Sequence, residues 1–174
     1  GGHNGREETT TLCLIPAVRE ATTLPLIAAG GIGTGEAIFA LMALGAEGVQ
    51  MGTRFALTDE SSASDIFKEY CLRLNEGDTK LLLKKLAPTR LVTNSFRDRV
   101  EAAEGRGASA EELRELLGRG RAKKGIFEGD LEEGELEIGQ VAALFRRRQS
   151  VDEVMKELLE GYRRASDKIR SAGL

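Results

Sequence analysis

Residues 25–55, PLIAAGGIGTGEAIFALMALGAEGVQMGTRF, decide the fold of this chain. Residues 25–29 are a short apolar run closed by glycines, which is the pattern of a strand buried on both faces. A helix is predicted next, because Thr34 can cap its start and Gly45 suits the position after its end. Residues 49–51 form a second short strand that also ends at a glycine. The stretch therefore predicts one βαβ unit with a glycine turn at the carboxyl end of each strand.

The two turns that follow these strands are predicted to bind an anion. Carboxyl ends of neighbouring parallel strands lie at one edge of the sheet, where α/β folds bind their ligands. Glycine lets the backbone come close to a ligand, so that successive N–H groups point at it. The predicted phosphate-binding residues are Gly30, Gly31, Gly52 and Thr53. The alternative is that these glycines only form tight turns, but two such turns in one βαβ unit favour a phosphate.

Composition limits the classes of partner. The 174 residues have a net charge of -3, which gives no reason to expect nucleic acid. No apolar run approaches the ~20 residues needed to cross a bilayer, so no membrane partner is expected. Cys13 and Cys71 are too far apart to read as a disulfide framework. Each lies in an apolar pattern, which predicts buried free thiols and fits a reducing, cytoplasmic location.

The chain is expected to be part of a longer protein. It starts without methionine, and a parallel sheet of two strands cannot bury both of its faces. After residue 57 the composition changes, and residues 58–174 are predicted to be mainly helical. Ser109 and Ser150 each begin a capping box, which predicts a helix start at both places. Residues 84–108 are basic and then glycine-rich, and we expect them to wrap over the surface.

His3 is the only histidine, so any imidazole chemistry must use it. It precedes a predicted helix, as the two glycine turns do, and its loop is therefore expected at the same face of the sheet. An imidazole beside a ligand site suits a general base, because its unperturbed pKa is near neutrality. The alternative is an idle, solvated loop residue, and the sequence alone does not choose between them. No metal site is predicted, since no second histidine or cysteine pair accompanies His3.

Three segments together resemble the C-terminal half of the nitronate monooxygenases, formerly called 2-nitropropane dioxygenases. They are GGHNG at 1–5, IAAGGIGTG at 27–35 and GVQMGTRF at 48–55. Flavin-dependent enoyl-acyl-carrier-protein reductases are similar in the same motifs. GDLEEG at 129–134 and GQVAALF at 139–145 also fit, so the resemblance covers nearly the whole chain.

The resemblance implies an α/β fold, namely the C-terminal part of an FMN-binding (β/α)8 TIM barrel with a small, mainly helical second domain. Residues 1–57 would supply the loop after strand six and strands seven and eight. Residues 58–174 would form the helical, substrate-side region and the C-terminal helix. The first six strands would be absent, which leaves open whether this chain alone binds FMN.

The resemblance also implies an activity and a set of site residues. His3 matches the catalytic histidine, and the matching FMN contacts are Gly1, Gly2, Gly30, Gly31, Gln50, Met51, Gly52 and Thr53. The implied activity is FMN-dependent oxidation of nitronates or nitroalkanes by oxygen to carbonyl compounds and nitrite. One alternative is reduction of an enoyl thioester with FMN and NAD(P)H, and another is a non-catalytic fragment. Assembly into an oligomer is compatible with either activity.

Overall fold

The computed structural model describes residues 9–173 as a mixed α/β structure with one parallel and one antiparallel two-stranded sheet. In chain order the elements are α1 (Thr11–Ala21), β1 (Ile27–Ala29), α2 (Gly35–Ala43), β2 (Gly48–Gln50), α3 (Thr53–Ala56), α4 (Asp65–Cys71), β3 (Thr79–Leu82), β4 (Thr89–Val92), α5 (Ser95–Gly105), α6 (Ala110–Leu117), a π-helical turn (Lys123–Phe127), a 3-10 helix (Gln140–Leu144) and α7 (Val151–Ser171).

The predicted βαβ unit is confirmed. β1 and β2 pair in parallel with Ala29 opposite Gln50, and α2 joins them. The Thr34 hydroxyl oxygen caps α2 by accepting a hydrogen bond from the backbone N–H of Ala37 at 3.2 Å. Gly45 follows the helix with a φ of 104°, a conformation that favours glycine. A small apolar core forms between α1, the two strands and α2, and its buried members are Ile15, Ala28, Ile32, Leu41 and Ala46.

The second sheet corrects the expectation for residues 84–108. These residues do not simply wrap over the surface, because they contain all of β4 and α5. β4 pairs with β3 in an antiparallel arrangement, with Leu91 opposite Lys80. Val92 and Phe96 are fully buried, so the apolar residues of this basic stretch point into a core. The region after residue 57 is therefore helical with a small sheet.

The largest hydrophobic core lies between α4, β4 and the segment that leads to α7. α4 is capped by Ser64, whose hydroxyl oxygen accepts from the backbone N–H of Phe67 at 3.2 Å. Lys68 is only 2% exposed, and its ammonium group is hydrogen-bonded within the protein. Its ammonium group donates to the backbone carbonyls of Ser61 at 2.7 Å and Asp59 at 3.2 Å. These bonds fix the loop between α3 and α4.

α7 packs against α2, the helix of the βαβ unit. The two helices approach very closely at Gly35, where a Cβ atom would lie 2.0 Å from the carbonyl oxygen of Leu158. The rings of Phe39 and Tyr162 meet edge to face with their centroids 5.5 Å apart. Val154 and Leu158 of α7 are buried. This close packing fixes the position of α2, and with it the loop that precedes α2.

Of the expectations for the capping boxes and the two thiols, two are confirmed and one is wrong. Both capping boxes are present, at Ser109 and at Ser150. Cys71 is a buried free thiol as predicted, but Cys13 is exposed. The reason is that Cys13 lies two positions from the buried Ile15 and therefore faces away from the core side of α1. No helix in residues 9–173 is long and apolar enough to cross a membrane.

Candidate cofactor site

The turns after β1 and β2 lie side by side at the carboxyl edge of the parallel sheet. Ala29 and Gln50 are register partners and end their strands, so the residues that follow them emerge next to each other. The structure thus brings together six of the predicted site residues, which are Gly30, Gly31, Gln50, Met51, Gly52 and Thr53. The other three, Gly1, Gly2 and His3, lie outside the described residues, and their roles stay predictions.

The first turn is held on one side and open on the other. Gly30 and Gly31 have φ angles of 112° and 71°, which lie in the region that glycine adopts without strain. The hydroxyl of Thr11 donates to the carbonyl oxygen of Gly30 at 2.9 Å and ties the turn to the start of α1. Gly31 is exposed, and apart from its chain neighbours no heavy atom of the described residues lies within 4 Å of the position that its Cβ would occupy. A ligand can therefore approach the backbone at Gly31.

The second turn differs from the first, because nothing in the described part of the chain requires its glycine. Gly52 has a φ of -92°, which any residue can adopt, and it leads directly into α3. Apart from the chain neighbours of Gly52, a Cβ atom there would meet no heavy atom of the described residues within 4 Å. Neither the backbone conformation nor the packing seen between residues 9 and 173 therefore requires glycine at this position. Close approach of a ligand to the backbone is a remaining physical reason for its absent side chain.

The side chains of the other predicted contacts have different surroundings. Gln50 is exposed at the end of β2, so its amide is accessible. Met51 is half-buried and packs against the core of the βαβ unit, so a ligand at the turn would meet its backbone. The hydroxyl oxygen of Thr53 accepts a hydrogen bond from the backbone N–H of Gly139 at 3.0 Å. That bond ties the second turn to the segment before the 3-10 helix.

Arg54, which follows the second turn directly, is a site residue that the sequence motifs did not indicate. Arg54 is 7% exposed, and its Nη2 donates to Gln149 Oε1 at 2.9 Å and to a carboxylate oxygen of Glu157. Its guanidinium carbon lies 4.4 Å from the centroid of the Phe145 ring. Burial alone would raise the pKa of Glu157, but the hydrogen bond from Gln149 and the charges of Arg54 and Arg147 hold it below its usual value. The network joins α3 to α7.

An open cleft of about 510 Å³ lies on the α7 side of this network. Its walls include the start of α2, Arg54 and residues of α7, but none of the residues of the two glycine turns. Arg164 in the wall pairs with Glu36 at 3.1 Å, and Arg147 pairs with Glu157 at 3.0 Å. Within residues 9–173, no cluster of histidine, cysteine and acidic side chains could hold a metal ion.

The residues of the two turns fit a phosphate group. Both turns present backbone beside open space at Gly31 and Gly52, and no acidic side chain belongs to either turn. Neighbouring glycine turns at the carboxyl ends of parallel strands are the arrangement that α/β folds use for phosphate-bearing ligands. The described structure thus defines a mixed α/β protein in which two glycine turns lie at the carboxyl edge of the parallel sheet.

Comparison with known proteins defines the class more narrowly. The family model described as nitronate monooxygenase matches residues 1–161, and the chain therefore belongs to the nitronate monooxygenase family. This confirms the resemblance seen in the three sequence motifs.

Individual relatives agree with the family. A probable nitronate monooxygenase of Staphylococcus saprophyticus is 42% identical over 108 residues, which are 55% of this chain and 30% of that protein. The solved structure of FabK from Thermotoga maritima superposes with a TM-score of 0.89 at 34% identity, covering 99% of this chain and 54% of that one. A nitroalkane oxidase from Streptomyces ansochromogenes gives a TM-score of 0.75 at 28% identity, covering 97% and 50%. The chain thus spans about half the length of these two structures.

Proposed function

We propose that the protein binds FMN through the turns at Gly30-Gly31 and Gly52-Thr53 and oxidises nitronates or nitroalkanes to carbonyl compounds and nitrite. Membership of the nitronate monooxygenase family supports an oxidoreductase, and the likeness to a nitroalkane oxidase supports this substrate class. In this proposal the described βαβ unit is part of a (β/α)8 barrel. Bound FMN would supply the electron transfer between substrate and oxygen, and the protein would bind, orient and exchange protons.

The single observation that carries the proposal is the environment of Gly52. Its backbone conformation is ordinary, and the space where a side chain would stand is empty among the described residues. Gly31 lies at the same edge of the sheet, because Gly31 and Gly52 each follow a register partner, Ala29 and Gln50, by two residues. A phosphate seated there would receive backbone N–H groups from both turns.

The role proposed for His3 is removal of a proton. A neutral nitroalkane must lose a carbon-bound proton before it can react as the nitronate, and an imidazole is suited to accept that proton near neutral pH. His3 follows two glycines in the sequence, whose lack of side chains would leave room for a substrate beside it. The phosphate contacts lie on other residues, so His3 has no share in holding the phosphate.

The cofactor part of the proposal is tested with Gly52→Ala. The added methyl group meets no described atom, so the apoprotein should keep its melting temperature. It would stand where the phosphate approaches, and loss of a hydrogen bond to a charged group, worth ~1.5–3 kcal/mol, should weaken FMN binding by about 10- to 100-fold. The measurement is the FMN dissociation constant of the full-length natural protein, obtained from flavin fluorescence.

Gly105→Ala is the matched control, because Gly105 also has open space around its Cβ position and ends α5 in the other sheet region. It should leave both melting temperature and FMN affinity unchanged. FMN binding by Gly52→Ala at wild-type strength would show that the phosphate does not lie against this turn.

A second candidate function is reduction of an enoyl thioester with FMN and NAD(P)H. The sequence motifs are shared with flavin-dependent enoyl-acyl-carrier-protein reductases, and the glycine turns serve both activities equally. Consumption of NAD(P)H that requires an enoyl thioester, without nitrite formation from a nitronate, would decide for this candidate.

A further inference from the structure

Arg54 links the proposed phosphate turn to a distant part of the chain. It is the second residue of α3, directly after Thr53, and its side chain points away from the turn into a buried network. Within that network it donates to Gln149 and to Glu157 on α7, and its guanidinium stacks on Phe145. The turn is therefore anchored by residues that follow it by about 90 to 100 positions.

We propose that Arg54 is a positioning residue, which holds the Gly52-Thr53 backbone in place for the phosphate of the cofactor without touching it. This inference rests on the proposed FMN site. α3 has only four residues, and so short a helix is unstable unless tertiary contacts hold it. Two such contacts exist at its start, namely the Arg54 network and the hydrogen bond between Gly139 and Thr53.

The action of Arg54 is geometric, because its charge is already neutralised. The Glu157 carboxylate accepts from Arg54, and Glu157 is also bonded by Gln149 Nε2 at 2.7 Å and by Arg147 at 3.0 Å. A planar guanidinium can bond two acceptors and stack on a ring at the same time, whereas the lysine ammonium group cannot. Lysine at position 54 would keep the charge and lose the fixed geometry.

The test compares two flavins on Arg54→Lys. FMN carries the phosphate and riboflavin lacks it, so misplacement of the turn should weaken FMN binding only. At metal sites, residues that orient the ligating side chains typically contribute ~10- to 100-fold in metal affinity. By analogy, we expect Arg54→Lys to weaken FMN binding about tenfold. The riboflavin dissociation constant should stay within about twofold of wild type. Both dissociation constants are measured by flavin fluorescence on the full-length natural protein.

Arg97→Lys is the matched control. Arg97 is also largely buried and paired with acidic residues, Asp98 and Glu101, but it lies on α5 beside the antiparallel sheet. Its Nε, like that of Arg54, has no hydrogen-bond partner among the described residues. Arg97→Lys should therefore lose about as much stability as Arg54→Lys, without any change in the ratio of FMN to riboflavin affinity.

A second variant, Glu157→Gln, separates positioning from electrostatic attraction. If Arg54 positions the turn, loss of its charged partner loosens the network and weakens FMN binding. If Arg54 attracts the phosphate across space, removal of the neutralising carboxylate strengthens FMN binding and overturns the proposal. Equal losses for FMN and riboflavin in Arg54→Lys would also overturn it. A wild-type protein that binds riboflavin as tightly as FMN would instead refute the phosphate site itself, and this inference with it.

Discussion

Gly35→Ala should strongly destabilise the protein, because Gly35 is where α2 and α7 come closest. The new Cβ would lie 2.0 Å from the carbonyl oxygen of Leu158 and 2.2 Å from the backbone nitrogen of Tyr162. Ordinary contacts begin at 3.4 Å, so α7 must move away by roughly 1.4 Å. Overpacking of this kind costs ~1–3 kcal/mol, and disturbance of the Phe39–Tyr162 ring pair adds ~1 kcal/mol.

We therefore expect the free energy of unfolding to fall by about 3 kcal/mol, which lowers the melting temperature by roughly 6–12 °C for a chain of this size. Thermal unfolding followed by circular dichroism, together with urea denaturation, measures both quantities.

The same helix interface provides a control with the opposite expectation. A Cβ at Gly161 would lie 2.8 Å from the carboxylate of Glu36, which is the far end of a flexible side chain and can turn away. Turning it away breaks the exposed ion pair with Arg164, worth at most ~1 kcal/mol. Alanine in a helix interior gains ~1 kcal/mol over glycine, so Gly161→Ala should change stability by less than about 0.5 kcal/mol. Equal effects of the two substitutions, or a fully stable Gly35→Ala protein, would refute the packing argument.

Three further predictions concern titratable groups. Burial, followed by the charge of Glu137, raises the pKa of Glu135 from 4.5 to about 7. The free energy of unfolding should therefore fall as the pH rises from about 4.5 to 7. In urea denaturation, the stability of Glu135→Gln relative to wild type should be higher at pH 8 than at pH 4 by roughly 1–3 kcal/mol. In the native protein Cys13 should react with a disulfide reagent at once, whereas Cys71, whose pKa burial raises to about 12, should react only after unfolding; rapid reaction of both would contradict the burial. His3→Ala should slow turnover of a neutral nitroalkane by ~10²–10⁴-fold and that of a preformed nitronate much less; equal losses on the two substrates would show that His3 is not a base.

The βαβ unit could be predicted because its signals are local. An apolar run closed by glycines, a threonine at the helix start and a glycine after its end all lie within about 20 residues. β3 and β4 could not be predicted in the same way, because each has four residues and gains its stability from pairing across a loop. The run from Leu81 to Leu83 fits a helix as well as a strand. It ends at Leu83, which has a φ of 57° that no sequence pattern for leucine indicates.

In the candidate site, too, local features could be predicted from the sequence and tertiary contacts could not. The glycine turns are visible in the sequence, since their spacing and their place after apolar runs are local features. The partners of Arg54 are not, because Glu157 lies 103 positions further along the chain. An arginine directly after Gly52 and Thr53 is the signal that was present, but its burial comes from tertiary packing. Whether His3 joins the site is a prediction on a residue outside the described part of the chain.

The most direct test of the proposed function is nitrite formation from a preformed nitronate. The full-length natural protein is loaded with FMN and mixed with the nitronate in air, without any nicotinamide cofactor. We expect nitrite to accumulate together with the carbonyl compound, oxygen to be consumed, and both to stop when oxygen or FMN is removed. A protein that retains FMN but forms no nitrite, and instead oxidises NAD(P)H when an enoyl thioester is supplied, would contradict the proposal.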